Sequence, residues 1–532
     1  MPINATLPTT TTMDEPPRWT PPVYDITKAP STTHSFKLSS SSSNNSTNFA
    51  RTAKIAPDGS SFIAQCEDHS LQLFDFPHFV APGTPSSSLA FHYLLHQHHC
   101  FIDSNEAPST SSSPRLNLKQ GSPVVDFAWF PSASKLDPAT YCFVSSVREC
   151  PVKLLDASTG KLRASYRIVD HRERQIAPNS LAFTYSGERL YCGFEDAIEV
   201  FDVGCPGEGI RRHTSPSKKS KDGLKGIVSA LAFSASHSVS DDAIFAAGSL
   251  TPIPGNIALY SDAGGEALMF LGGGPRAGVT QLQFNLYRPH MLYAGYRGNA
   301  NGLIYSWDIR SRIDTPVAIY DGRPSGQSLD EPSPAPNQKL RFDMDIGGRY
   351  IGAGNWGGEV VLFNAEKVEA ELEATAEEMA MEDDVPVIQV QPELRFKAHD
   401  DTVAAVTFQP WRAEMLTVSG SRHFDSGEED EDTSDEEEDS PHEAGRLGPK
   451  VLDNSIKLWS LAPPAFAPLE ETSASIPPEE PPLTTPPLAT LSEPSVSPAT
   501  DYTSALPPRS PSISPSTNTS HSATLEWELD LD

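Results

Sequence analysis

Seven stretches of alternating apolar and polar residues recur along this chain, and they constrain its fold more than any other feature. Each unit begins with an alternating strand pattern, turns at Pro or Gly into a strand of small residues, and ends with a second alternating strand. The last strands end near Phe74, Leu155, Phe201, Tyr260, Trp307, Phe363 and Trp459. Where no long low-complexity segment intervenes, these residues lie 46 to 59 positions apart, close to the length of one four-stranded propeller blade.

Seven such units predict an all-β fold, a seven-bladed WD-repeat β-propeller over residues 49–461. Closing the sheets into a ring removes the exposed strand edges that would otherwise pair with other chains. We expect an N-terminal strand, around residues 34–39, to complete the last blade.

The remaining segments are poor in residues that could fill a core. The N-terminal arm (1–48), the Pro-rich acidic tail (462–532) and two inserts (about 80–122 and 423–450) are rich in Ser, Thr, Pro or acidic residues, which predicts disorder. A further acidic insert, residues 366–384, has the Ala and Glu content that favours a helix.

The net charge of −30 is concentrated in three segments. Residues 425–439 hold 11 acids and no base, residues 366–384 carry −8, and residues 463–532 carry −9. Together they account for −28, so the predicted propeller and the rest of the chain carry only −2. The acidity of the whole chain therefore does not exclude nucleic-acid binding.

Composition also limits compartment and chemistry. The six cysteines contain no Cys-x-x-Cys pair, no apolar run is long enough for a membrane span, and the first thirty residues have no signal-peptide pattern. No hydrolase elbow, HExxH helix or phosphate-binding loop is present. We therefore expect an intracellular protein without membrane contact, enzymatic activity, cofactor or small-molecule substrate.

One local patch has the residue types of a zinc site. It comprises His92, His96, His98, His99 and Cys100. Imidazole and thiolate groups bind zinc, but no second ligand pair follows at a fixed spacing. We predict no metal site.

A block at residues 145–167, SSVRECPVKLLDASTGKLRASYR, is more specific than the blade pattern. It contains Ser-Ser-x-Arg-Glu-x-Pro around Arg148, followed by Thr-Gly-x-Leu-Arg-Ala-Ser-aromatic-Arg. Matching segments occur in order at 56–59, 190–194, 226–229, 232–234, 307–310 and 341–343. Together these motifs resemble the telomerase Cajal body protein family, a group of WD-repeat RNA-binding scaffolds, over about residues 49–461.

The resemblance implies a non-catalytic scaffold that binds small nuclear or Cajal-body RNAs and telomerase RNA. It implies roles in RNP assembly, nuclear-body localisation and telomere maintenance, with protein partners, in the nucleus and also in the cytoplasm. The chain departs from the family in its Pro-rich tail and at 272–275, where the family's Gly-Gly-His turn reads Gly-Gly-Gly-Pro. The RNA partner therefore stays open, and a branch linked to spliceosomal RNA particles is an alternative.

Candidate RNA-binding residues are cations in loops or at strand ends, and one aromatic residue. They are Lys54, Arg148, Lys218, Lys219, Arg297, Arg310, Arg341 and Trp356. Cations bind phosphates and flat rings stack on bases, and Arg148 belongs to the block that carries the resemblance. For each arginine the alternative is an ion pair between blades. For Lys218 and Lys219 it is a nuclear import signal or a solvated loop.

Two other functions stay open. The segment Trp307-Asp308-Ile309-Arg310 matches the ending by which propeller substrate receptors contact the adaptors of cullin-type ubiquitin ligases. The same residues could equally close a blade strand in a general protein-interaction propeller.

Overall fold

The computed structural model describes residues 20–39, 47–77, 111–217, 219–220, 222–235, 243–326, 337–368, 370–371, 386–424 and 450–463. These residues are nearly all β, and their seven small sheets form the blades of one ring. The predicted seven-bladed β-propeller is confirmed. No helix in these ranges is long and apolar enough to cross a membrane.

The strands follow blade order with three exceptions: β1 (Ser31–Phe36) and the short β5 (Ser111–Ser112) belong to the sheet of the last blade, and β26 (Ile388–Val390) belongs to that of blade 5. Blade 1 contains β2 (Ala50–Ile55), β3 (Ser61–Cys66), β4 (Ser70–Asp75) and β6 (Leu116–Lys119). Blade 2 contains β7 (Val124–Trp129), β8 (Cys142–Val147), β9 (Val152–Asp156) and β10 (Leu162–Tyr166). Blade 3 contains β11 (Ser180–Phe183), β12 (Arg189–Phe194), β13 (Ala197–Asp202) and β14 (Ile210–His213). Blade 4 contains β15 (Val228–Phe233), β16 (Ile244–Ser249), β17 (Ile257–Ser261) and β18 (Ala267–Leu271).

The last three blades are less regular. Blade 5 contains β19 (Val279–Phe284), β20 (Met291–Tyr296), β21 (Leu303–Asp308) and β22 (Ala318–Asp321), with a short 3-10 helix at Gly298–Ala300. Blade 6 contains β23 (Asp343–Met344), β24 (Tyr350–Gly354), β25 (Glu359–Asn364) and β27 (Leu394–Lys397). Blade 7 contains β28 (Val403–Phe408), β29 (Glu414–Ser419), β30 (Ile456–Ser460) and β1. A fifth strand runs parallel to the outer strand of two blades: β26 (Ile388–Val390) beside β22, and β5 beside β1.

The repeat seen in the sequence corresponds to the third strand of each blade. The seven strand-end residues, Phe74, Leu155, Phe201, Tyr260, Trp307, Phe363 and Trp459, all lie in third strands, and all are buried. Among the described residues, the buried apolar side chains form seven clusters, each shared by two neighbouring blades. Burial of apolar area between blades therefore holds the ring together.

Small residues in the second strands allow the next blade to approach closely. A Cβ atom at Gly248 in β16 would lie 2.5 Å from Cγ1 of Val279 in blade 5. A Cβ atom at Gly354 in β24 would likewise lie 2.5 Å from Cγ1 of Val403 in blade 7. These glycines explain why the second pattern of each unit is rich in small residues.

The ring is closed by the N-terminal strand. β1 pairs antiparallel with β30, with Ser31 opposite Ser460 and Phe36 opposite Ile456. The strand lies three residues before the position expected from the sequence, and it falls inside the predicted N-terminal arm. The Phe36 ring then packs edge-on against Phe62, with centroids 4.9 Å apart.

The prediction of disorder was wrong for the end of the insert at 80–122. Residues 116–119 form the outer strand of blade 1, and Leu116 and Leu118 pack against the core between blades 1 and 2. The alternation of this short strand is hidden by the Ser- and Pro-rich sequence before it. At the start of the acidic insert 366–384, residues 366–368 and 370–371 are helical. Four segments lie outside the described residues: the rest of that insert, the His-rich patch, residues 425–449 and the tail from residue 464.

The ring has two ends, which carry different loops. The inner strands begin at what we call the upper end, where the second strand of each blade also passes to the third. They finish at the lower end, where the third strand passes to the fourth. This alternation follows from the antiparallel order of every blade.

Candidate nucleic-acid interface

Four cationic side chains meet where the central channel opens at the upper end. Arg51 lies near the start of β2, Arg148 follows β8, and Lys339 and Arg341 precede β23. With two glutamine side chains and the start of β7 they line one cavity of about 180 Å³, which we call the upper mouth. Blades 1, 2 and 6 thus bring together cations that are far apart in the sequence.

Arg297 lies at the same end, directly after β20 of blade 5. It belongs to a group of charges that act on Lys339, whose pKa falls from 10.5 to about 8. Burial is the largest cause of this shift, because it disfavours the ammonium form. The charges of Arg341, Arg51 and Arg297 lower the pKa further, and Asp126 opposes them.

Three of these cations lack a partner within the part of the chain that the structure describes. Arg148, Arg297 and Lys339 form no ion pair and no side-chain hydrogen bond there. Arg51 differs, since its Nε lies 3.4 Å from Oε2 of Glu67. Like charges held together without a carboxylate favour the binding of an anion.

A second group of charged side chains, Lys54, Asp126 and Arg341, lies across the channel below the upper mouth, and we call this group the crossing. Lys54 Nζ lies 3.0 Å from Oδ1 of Asp126, whose Oδ2 accepts a hydrogen bond from the Leu181 amide at 2.9 Å. Arg341 Nη1 donates to the Thr280 carbonyl at 2.7 Å. These contacts join blades 1, 2 and 3, and blades 5 and 6, around the channel axis.

The pKa of Asp126 reflects its burial and the charges around it. Burial, the largest influence, would raise its pKa. The charges of Lys54 and Arg341, with hydrogen bonds from Lys54 and Leu181, outweigh burial and hold the pKa below its ordinary value. Lys54, predicted to bind RNA, therefore forms an ion pair between blades 1 and 2. Arg341, also predicted to bind RNA, acts on the same carboxylate through its charge.

The lower end of the channel is wider and has a different lining. Its cavity of about 540 Å³ is lined by residues from all seven inner strands and by Pro57, Leu286, Ile346 and Pro410. The carboxylate of Asp343 also lines it and accepts a hydrogen bond from the Phe408 amide at 2.9 Å. Burial raises the pKa of Asp343 to about 6. We call this cavity the lower mouth.

Two further predicted residues lie at the upper end, away from the mouth. Trp356 follows β24 and is partly buried against Gly302 of blade 5, where an added Cβ would lie 3.0 Å from Cζ3 of the indole. Lys219 is exposed in the loop between β14 and β15. Lys218 lies outside the described residues.

Arg310 lies at the opposite end of the ring. It follows β21 at the lower end, and its Nη2 lies 2.8 Å from Oδ2 of Asp308. Trp307 is fully buried and donates from Nε1 to the Gly272 carbonyl at 3.0 Å. Of the motif considered for a ligase adaptor, Arg310 alone has a mostly exposed side chain, at 63%.

Sequence reasoning missed Arg51 and Lys339. Both lie at or just before the start of an inner strand, as Arg341 does. Aligning the starts of the first strands, in addition to the ends of the third strands, would have drawn attention to this position. It would not have shown that loops of non-adjacent blades meet at one cavity.

The comparisons with known proteins agree with the resemblance drawn from the motifs. The chain is 28% identical over 393 residues to "Telomerase Cajal body protein 1" of Rattus norvegicus, covering 73% of this chain and 63% of that protein. It is 27% identical over 399 residues to the Homo sapiens protein of the same name, covering 74% and 62%. "Guanine nucleotide-binding protein negative regulator 1" of Schizosaccharomyces pombe is 27% identical over 317 residues, covering 58% and 69%. The predicted similarity is thereby confirmed.

These alignments have a limited extent. The chain spans about 63% of the length of the first of these relatives. A comparison with models of known protein families found no match.

Proposed function

We propose that this protein is a non-catalytic RNA-binding scaffold for small nuclear or Cajal-body RNAs and telomerase RNA. It supports assembly of these ribonucleoprotein particles, their localisation to nuclear bodies and telomere maintenance. The observation that carries the proposal is the set of three cations at the upper end, Arg148, Arg297 and Lys339, that have no partner among the described residues. The names of the relatives in rat and human support the choice of RNA.

The propeller suits such a role because its ring is rigid. Seven apolar clusters fix neighbouring blades, so loops at the upper end keep their relative positions without a partner. A rigid surface loses little conformational freedom on binding, which favours recognition of one RNA shape. Phosphates meet the cations of the mouth, and Lys219 and Trp356 extend the same surface toward its rim.

Crosslinking of the tagged protein in its own cells, followed by sequencing of the bound RNA, tests the proposal. We expect enrichment of small nuclear, Cajal-body or telomerase RNA. The double variant Arg148→Ala/Arg297→Ala should lose most of that signal. Arg310→Ala removes one arginine from the lower end and is the matched control. Absence of RNA above background from the unmodified protein would overturn the proposal, and equal loss in both variants would move the site away from the upper mouth.

A further inference from the structure

The shape of the upper mouth limits what can enter it. Its volume of about 180 Å³ is smaller than the ~300–1,000 Å³ of a pocket that encloses a whole small-molecule ligand. An RNA duplex is far wider than this opening and could meet only its rim. The cavity has room for one chemical group at the end of a longer molecule.

The charges of the mouth converge on that small volume. Arg51, Arg148, Lys339 and Arg341 all line it, and they come from three blades. Cations that follow a duplex backbone would instead be spread along a surface, because successive phosphates are spaced along the strand. Convergence therefore favours one anionic group that several cations contact together.

The same convergence costs stability while the mouth is empty. Lys339 is repelled by Arg341, Arg51 and Arg297, and it has no carboxylate partner within the described ranges. The carboxylate that acts on it favourably, Asp126, is already engaged by Lys54. An anion in the mouth would remove the repulsion and restore the full charge of Lys339.

We infer that the upper mouth binds a single phosphate group of a nucleotide that turns away from the path of the RNA and points into the channel, with Lys339 and Arg148 as its direct ligands. This inference rests on the proposed function, since it specifies which part of the RNA that surface holds. Arg341 lies deeper, between the phosphate and Asp126, and orients the group. Single-stranded segments can place a phosphate in this way, whereas a continuous duplex cannot.

Binding of a fluorescent 12-nucleotide single-stranded RNA, compared with a blunt duplex of the same length, tests the geometry. The full chain should prefer the single strand. Lys339→Met should weaken single-strand binding about tenfold, the value of one charged hydrogen bond, and leave duplex binding almost unchanged. Lys161→Met, which removes an exposed lysine at the lower end of blade 2, is the control. Equal affinity of the Lys339→Met variant and the unmodified protein would overturn the inference.

The pH dependence of binding gives a second readout. The groups that act on Lys339 are Arg51, Arg297, Arg341 and Asp126, and the pKa of Lys339 itself, about 8, lies between pH 7 and 9. Affinity for the single strand should therefore fall over this range as Lys339 loses its proton. Lys339→Arg should restore binding and remove the fall. A fall of the same size in Lys339→Arg would contradict the assignment.

Inorganic pyrophosphate tests the phosphate site independently of RNA binding. It should raise the melting temperature of the unmodified protein in a concentration-dependent way, and not that of Lys339→Met. If pyrophosphate does so but no RNA binds, the phosphate site stands and the RNA function fails. If RNA binds but neither pyrophosphate nor Lys339→Met has an effect, the RNA function stands and the phosphate site is overturned. If neither ligand binds, both are overturned.

Discussion

The two mouths open onto the same channel, yet their charged residues have opposite relations to the protein. At the lower end, Asp343 in the mouth and Asp345 beside it accept hydrogen bonds from backbone amides, including that of Phe408 at 2.9 Å and that of Tyr350 at 2.7 Å. At the upper mouth, Arg148 and Lys339 have no such partner in the described ranges. These two carboxylates at the lower end complete the fold, whereas Arg148 and Lys339 at the upper mouth are available to another molecule.

This difference separates structural from functional charge without reference to sequence similarity. A buried charge that satisfies the protein's own amides is accounted for by the fold. A group of like charges in which Arg148 and Lys339 have no ion-pair partner among the described residues is held together by the surrounding blades, and so it points to a ligand. Variants at the two mouths, and at the crossing between them, should therefore differ in whether they lose stability or binding.

The largest effect is expected from Asp126→Ala, at the crossing between the two mouths. The variant removes the carboxylate that pairs with Lys54 and accepts the Leu181 amide. Loss of one partner of a buried ion pair costs about 3–5 kcal/mol, and because the Lys54 side chain is 35% exposed we expect the lower end of that range, about 3 kcal/mol. Urea denaturation should show this loss in the free energy of unfolding. Arg310→Ala, which removes an exposed pair with Asp308, should cost less than about 1 kcal/mol. Similar losses of unfolding free energy in the two variants would mean that the ion pair of Asp126 stabilises the fold no more than an exposed ion pair does.

The next effect concerns binding. Arg148→Glu/Arg297→Glu should weaken RNA binding about a hundredfold in moderate salt, because two attractions become repulsions. The slope of log K against log salt should become shallower by ~0.7 for each phosphate that the variant no longer neutralises. The free energy of unfolding should not fall, since neither residue has a partner in the described chain. If the free energy of unfolding fell by as much as the free energy of RNA binding, these arginines would be structural, and the distinction between the two ends of the ring would be wrong.

At the lower end, beside the lower mouth, we expect a loss of stability without a loss of binding. Asp345 is buried and accepts hydrogen bonds from the amides of Gly347, Arg349 and Tyr350. Asp345→Ala leaves those donors unsatisfied and should cost about 1–3 kcal/mol of folding stability. RNA affinity of the folded variant, measured by fluorescence anisotropy, should stay unchanged. A selective loss of RNA binding would place part of the RNA site at the lower end.

The chain itself shows how far each part of the structure could be predicted. The ring was predictable because a blade is local, and Phe74, Leu155 and Trp307 mark third strands that pair with their sequence neighbours. Blade 1 was harder, since β6 follows a long insert and consists of only four residues. In each case the pairing partner lies in the same repeat, and the hydrophobic pattern determines the register.

The upper mouth was not predictable in the same way. Arg297 and Arg310 are only 13 positions apart, yet the first lies at the upper end and the second at the lower end. Arg148 and Lys339 are far apart in the sequence and line one cavity. Which cations meet depends on the end of the ring at which each loop lies, and neither composition nor spacing contains that information.

The two mouths should also differ in the pH dependence of folding stability. The folded-state pKa of Lys339, about 8, is lowered, so the unfolded chain binds more protons and stability should rise with pH between about 8 and 10.5. The folded-state pKa of Asp343, about 6, is raised, so stability should fall as pH rises from about 4 to 6. Lys339→Met should remove the rise alone, as measured by denaturation across pH. Loss of both slopes in that variant would mean that the two mouths titrate as one unit.

The closing strand has a consequence for truncated chains. β1 and β30 are hydrogen-bonded neighbours although more than four hundred positions separate them. A product of premature termination after β29 would contain six complete blades and would still leave β1 and β29 as two open edges. Such edges pair readily with other chains, so late stop mutations should yield an aggregating polypeptide instead of a shortened scaffold with partial activity.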